Sequence, residues 1–254
     1  MASPFCWYEL MTIDPASTGE FYALAVGWTV EQGQGEMAFY TTFKTAGGVR
    51  IGGMMAIDEQ MAAHGMRPGW IGYVAVDDIE ASAAKVAQLG GTVHRPPGDI
   101  PGVGRFSVVA DPFGAVFQLF QAAPEYGIPA DGKGPGFVAW RELMAGDLER
   151  AWAFYSQLFG WTKDIDHDMG PMGPYRLFKT GGEANAGGMM TKPSALPASF
   201  WTYYFGVDGV RAAAERLVTA AGTVINGPMQ VPGGDWVVQG TDPQGAMFSL
   251  HGPE

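Results

Sequence analysis

Trp7-Tyr8-Glu9-Leu10-Met11, with Asp14 just beyond, returns 133 positions later as Trp140-Arg141-Glu142-Leu143-Met144, with Asp147 just beyond. At the same spacing Phe21-Tyr22 and Gly27-Trp28-Thr29 become Phe154-Tyr155 and Gly160-Trp161-Thr162. Gly52-Gly53-Met54-Met55 reappears as Gly187-Gly188-Met189-Met190, Gly91-Thr92-Val93 as Gly222-Thr223-Val224, and Asp111-Pro112-Phe113-Gly114-Ala115 as Asp242-Pro243-Gln244-Gly245-Ala246. The spacing drifts by only a few positions across 254 residues, so the chain is two copies of one domain. Residues 1–125 form the first and 135–254 the second, and the Ala-, Pro- and Gly-rich stretch 121–136 reads as the linker.

Each copy divides again. Trp7 opens a strand, Asp14 caps a helix whose apolar face includes Phe21 and Leu24, and Gly27 ends it. Strands are expected at 38–45 and 49–57. Trp70 then opens another strand, Asp78 caps a helix running to Leu89, and Gly90-Gly91 stops it. Strands follow at 92–95, 105–110 and 116–121, with 96–104 expected as a loop. The repeating unit is strand–helix–strand–strand–strand, occurring as modules 1–60, 64–121, 137–195 and 198–252. One helix per unit and short alternating strands predict an α+β fold with helices on one face of each sheet. The other face is left to form a concave cup.

Composition narrows the function. Fifteen Lys and Arg against 26 Asp and Glu give a net charge of −11, which repels nucleic acid and anionic membrane surfaces. Hydrophobic residues at 47% and aromatics at 13% exclude wholesale disorder. The single cysteine, Cys6, excludes an intramolecular disulfide and cysteine-rich zinc sites, and reads as a small buried strand residue. No apolar run is long enough to span a membrane, and the first residues lack a basic and an apolar signal region. The expected location is the cytoplasm, with unconventional export left open.

The fourfold modular pattern, the Asp-Pro-x-Gly turns at Asp111 and Asp242, and Val76-Asp77-Asp78 with Val207-Asp208-Gly209 resemble the vicinal oxygen chelate superfamily. That superfamily contains glyoxalase I, bleomycin-resistance proteins and extradiol dioxygenases. Gly-Gly-Met-Met paired with Pro101-Gly102-Val103-Gly104-Arg105-Phe106 is similar to a two-domain glyoxalase-related branch that includes a mycobacterial antigen. The resemblance implies a metal in each cup, held by His, Gln or Glu from the first and last strands of the modules. Here the first-strand ligand positions carry Trp7, Trp70, Trp140 and Trp201, and the last-strand positions Gln118 and Ser249. An indole offers a donor and no lone pair, so no metal and no other cofactor is expected.

Alternation places Glu9 with Trp7 and Glu142 with Trp140 on the cup face. Each carboxylate reads either as a general base in an aromatic cup or as a structural partner of an arginine such as Arg105. The second copy adds His251 beside Ser249, which favours it for proton transfer through Glu142, leaving the first copy mainly for binding. Three functions stay open: binding of a small apolar or aromatic molecule by Trp7, Trp70, Gln118, Trp140, Trp201 and Ser249; a metal-independent lyase or isomerase using Glu142, Glu9 and His251; or a non-catalytic interaction protein. The partner expected is a small molecule, and the sequence leaves oligomeric state open.

Overall fold

Helix starts and stops follow the chemistry read from the sequence. In the computed structural model, which describes residues 3–127 and 132–254, the Asp14 carboxylate accepts the backbone N–H of Ser17 at 3.2 Å. Asp78 and Asp147 do the same for Ala81 and Arg150, each at 2.9 Å. The first helix of each half ends at a glycine in the left-handed region, Gly27 at φ 87° and Gly160 at φ 69°.

The first half runs β1 (Phe5–Thr12), α1 (Pro15–Val26), β2 (Thr29–Gln32), β3 (Tyr40–Lys44), β4 (Arg50–Ala56), α2 (Glu59–Ala63), β5 (Gly69–Ala75), α3 (Ile79–Gln88), β6 (Thr92–Ile100), β7 (Gly104–Ala110) and β8 (Val116–Ala122). The second half runs β9 (Val138–Ala145), α4 (Leu148–Phe159), β10 (Thr162–Asp168), β11 (Pro174–Lys179), β12 (Gly187–Thr191), β13 (Phe200–Gly206), α5 (Val210–Thr219), β14 (Thr223–Gln230), β15 (Trp236–Thr241) and β16 (Met247–Gly252). Two eight-stranded mixed sheets result, ordered β2-β3-β4-β1-β5-β8-β7-β6 and β10-β11-β12-β9-β13-β16-β15-β14. The fold is the expected α+β arrangement of four modules, and residues 128–131 of the expected linker lie outside the described residues.

Four details depart from the sequence reading, and each has a physical cause. Strand β2 carries no alternation because all four of its residues are exposed at a sheet edge. The short helix α2 has no buried residue and so no apolar signature. Segment 96–100 continues β6 through Pro96 and Pro97 rather than looping. Its register slips between Val93 and Arg95 and again before Gly98, and an edge strand tolerates a missing N–H. Leu24, expected on the apolar face of α1, is 44% exposed, whereas Phe21 is buried.

Packing divides the described residues into two compact units that cut across the halves. One comprises the described residues of 1–7, 72–128 and 140–201, and the other those of 8–71, 129–139 and 202–254. Each has an aromatic core built to one plan. In the unit containing α1, Tyr22 meets Trp28, Phe43, Trp70 and Phe248 at 5.2–5.7 Å between ring centroids. The Trp70 indole donates to the Tyr22 hydroxyl at 2.8 Å, and that hydroxyl donates to Asp242 at 3.3 Å. In the unit containing α4, Trp201 donates to Tyr155 at 2.9 Å and Tyr155 to Asp111 at 3.3 Å, beneath stacked Trp161 and Phe178. The remaining indoles reach carbonyls, Trp28 that of Gly136 at 2.8 Å and Trp161 that of Ser3 at 2.7 Å.

Candidate functional site

The helix-facing side of β1 is marked by Leu10, fully buried, and by Thr12, whose hydroxyl lies 2.8 Å from that of Thr18 on α1. Alternation then turns Glu9 and Met11 the other way, as expected. Glu9 is buried and stands in register with Gly53 of β4. A Cβ on Gly53 would lie 2.3 Å from the Tyr40 hydroxyl, so the tyrosine ring lies across the strand where a side chain would stand. Gly52 likewise has the Tyr8 carbonyl 2.5 Å from where its Cβ would sit. The glycine pair read from the sequence is therefore a close-packing device.

The second copy repeats the tyrosine laid over a glycine. Trp140 Nε1 donates to the Tyr175 hydroxyl at 2.8 Å, and Tyr175 donates to Glu142 Oε1 at 2.8 Å. Gly188, in register with Glu142, makes room for the ring: a Cβ there would meet Tyr175 atoms at 2.3 Å. Glu142 is 7% exposed. The result is a donor chain, indole to phenol to carboxylate, laid flat over the sheet. The tyrosines escaped the sequence reading, although Tyr40 and Tyr175 stand two residues before Thr42 and Leu177, which register with Gly53 and Gly188.

The last-strand positions differ between copies. Gln118 is buried in register with Tyr73, and Tyr73, Phe120 and Cys6 form a cluster onto which Trp7, Ile100, Val103, Phe106 and Tyr126 pack. Burial pushes the Cys6 thiol up to about 12, as suits an inert structural cysteine. In the second copy Ser249 stands in register with Tyr204 and Gln239, and Gln239 donates to the Tyr204 hydroxyl at 2.9 Å. Ser249 and Thr202 are buried, and among the described residues neither hydroxyl has a hydrogen-bond partner. His251 Nε2 lies 3.3 Å from Asp235.

Two of the tryptophans are placed otherwise than expected. Trp70 and Trp201 turn toward the helices, 7% and 6% exposed in the aromatic cores, with their N–H groups committed to Tyr22 and Tyr155. Period two puts Trp70 on the side of Val74 and Trp201 on that of Tyr203 and Phe205, all fully buried or nearly so. Arg105, offered as a structural partner for a buried glutamate, instead bonds Asp99 at 2.9 Å and Glu80 at 2.8 Å.

The Glyoxalase/Bleomycin resistance protein/Dioxygenase superfamily model matches residues 137–250, and a glyoxalase-like domain model matches 9–120. "Putative glyoxylase CFP32" of Mycobacterium bovis is 33% identical over 97% of this chain and 94% of its own length. The chain belongs to the glyoxalase/bleomycin resistance/dioxygenase superfamily. Within it, "Anthracycline biosynthesis protein DauV" of a Streptomyces species is 31% identical, covering 96% of this chain and 91% of that protein. The superfamily fold extends to the Mn(II)-bound glyoxalase from Novosphingobium aromaticivorans, with a TM-score of 0.67, 17% identity and coverage of 98% of this chain and 82% of that one. It extends also to the 2,3-dioxygenase LapB from Pseudomonas, with a TM-score of 0.65, 13% identity and coverage of 100% and 92%.

Proposed function

We propose that the protein binds a flat, oxygen-bearing aromatic small molecule on the polar face of its second sheet, without recruiting the superfamily's divalent metal. The donor chemistry at the inherited ligand positions argues against the metal. Four are indoles, and three of these, Trp70, Trp140 and Trp201, already donate to tyrosine hydroxyls. An indole N–H so engaged presents nothing to a cation. Among the described residues no three His, Cys, Asp or Glu side chains group to hold one.

One observation carries the reading: the buried, unpartnered hydroxyls of Ser249 and Thr202 beside the bonded Tyr204–Gln239 pair. An unsatisfied buried hydroxyl costs about 1–3 kcal/mol, which a ligand carbonyl or phenol recovers by bonding it. The relative named for anthracycline biosynthesis supports a flat oxygenated ligand. The first sheet supports binding less, since Trp7, Tyr73, Phe106 and Phe120 pack on one another there.

The test is fluorescence titration with 1,4-dihydroxyanthraquinone. Saturable binding that weakens about tenfold in Ser249→Ala, and again in Thr202→Val, is the expected result, each step being worth about 1.4 kcal/mol. Binding indifferent to both substitutions would remove the proposal. A second reading, a proton-transferring lyase or isomerase using Glu142, rests on the Tyr175 hydroxyl held 2.8 Å from that carboxylate. In it Tyr175→Phe lowers kcat by one to two orders of magnitude without moving the affinity for the anthraquinone.

A further inference from the structure

A cavity lies on the helix-facing side of the first sheet, against α1. It is an open groove of about 580 Å³ walled by Asp14, Glu20, Gln32 and Thr41, with Val30 and Met54 as apolar floor. It falls within the usual range for small-molecule sites, and no Lys, Arg or His lines it.

The third module shows what fills this place. Helix α4 repeats α1, so Trp152 stands for Gly19 and Glu149 for Ala16. Thr41 registers with Met54 as Arg176 registers with Met189, and Gln32 pairs with Thr41 as Asp166 pairs with Arg176. In that module the Arg176 guanidinium is 4% exposed, lies 5.6 Å from the centre of the Trp152 ring, and is bonded to Asp166 and Glu149 at 2.7–3.0 Å. A planar cation lying near an aromatic plate is thus the chain's own solution for this site. In the first module the plate and the cation are both missing. Gly19 and Thr41 replace them, and the Thr41 hydroxyl merely bonds Gln32 at 2.8 Å.

We infer that the groove binds a small organic cation with a flat apolar body, an amidinium or guanidinium carried on an aromatic ring. The ring lies against Val30 and Met54, whose side chains reach to within 3.2–3.4 Å of where a Cβ on Gly19 would stand, and the Met54 thioether suits an aromatic edge. The cation faces the Asp14 and Glu20 carboxylates at the rim. This site shares no residue with the polar face of the second sheet, so it stands or falls separately.

The probe is benzamidine, followed by chemical-shift changes of the Gly19 amide and the Met54 methyl, with the neutral isostere benzamide in parallel. We expect saturable shifts at both positions with benzamidine and at least about fivefold weaker binding of benzamide, the scale of an exposed charge pair. Glu20→Gln should weaken benzamidine about threefold, an effect that fades at high salt. Gly19→Trp and Thr41→Arg, which rebuild the third module's plug, should each abolish the shifts, while Ser249→Ala leaves them intact. Equal binding of benzamidine and benzamide, shifts confined to other residues, or binding that survives in a folded Gly19→Trp or Thr41→Arg protein would overturn the assignment.

Discussion

The two compact units share the central ring contacts and hydrogen bonds beneath their helices and diverge elsewhere. Tyr22, Trp28, Phe43, Trp70 and Asp242 in one correspond to Tyr155, Trp161, Phe178, Trp201 and Asp111 in the other, down to the direction of each hydrogen bond. Away from that core, Phe120 stands in one copy where Phe248-Ser249-Leu250-His251 brings a histidine in the other, Gln118 becomes Ser249, and Gly19 with Thr41 becomes Trp152 with Arg176. A close-packed aromatic core punishes any change of shape in either copy equally. Faces not locked into such packing are free to acquire separate tasks after duplication.

The largest expected effect tests the sameness. Trp28→Ala and Trp161→Ala each remove a 2%-exposed indole and a hydrogen bond, and should each destabilise by about 3–5 kcal/mol in urea denaturation. Costs differing by more than about twofold would break the equivalence. Next come the glycines beneath the tyrosines. Gly53→Ala and Gly188→Ala should each cost about 1–3 kcal/mol through the collision with Tyr40 or Tyr175. Adding Tyr175→Ala to Gly188→Ala should recover part of that loss, which equilibrium unfolding of the double variant would show.

The third comparison is electrostatic and sharpens the difference between modules. Arg176 holds the Asp166 carboxyl well below the ordinary carboxylate range and lowers Glu149 as well, chiefly through side-chain hydrogen bonds. A lowered folded pKa stabilises above the unfolded value, near 4, and that stability is lost as pH falls toward the folded value. Arg176→Met should therefore cost about 1–3 kcal/mol at pH 7, with the gap to wild type narrowing in unfolding experiments below about pH 4. Thr41→Val, at the matching place, should show no such acid dependence.

The smallest effect has the opposite sign. Burial raises the Asp111 and Asp242 carboxyls, against the lowering by backbone N–H groups that bond them. A raised folded pKa favours the protonated form, so stability from this source is full below about pH 4 and is lost as pH rises through the folded value. Asp242→Asn keeps the oxygen that accepts from Gln244 and Ala246. Its stability relative to wild type should therefore improve between pH 4 and pH 7 by less than about 1 kcal/mol, and Asp111→Asn should match it.

The repeat made the modular fold legible, because Trp-x-Glu-Leu-Met, the capping aspartates and the Asp-Pro-x-Gly turns each carry a local rule that survives in three dimensions. Alternation also turned Glu9 and Glu142 the right way. It was silent on Trp70 and Trp201, since a strand flanked by aromatics on both faces, such as Trp201-Thr202-Tyr203-Tyr204-Phe205, has no polar side to read. Tyr40 and Tyr175 were hidden for another reason: their role depends on a neighbouring strand lacking side chains, a relation between distant positions that no single-strand pattern contains. Arg176 sat in plain view within β11, but its partners lie on α4 and β10.

The bond from Tyr22 to Asp242 has its twin in the bond from Tyr155 to Asp111, so each half gives the other the contact it receives. Neither tyrosine finds its acceptor within its own copy of the repeat. A change at Asp111 is therefore felt in the core beneath α4, and a change at Asp242 in the core beneath α1, so an injury to one copy is read out in the helix of the other.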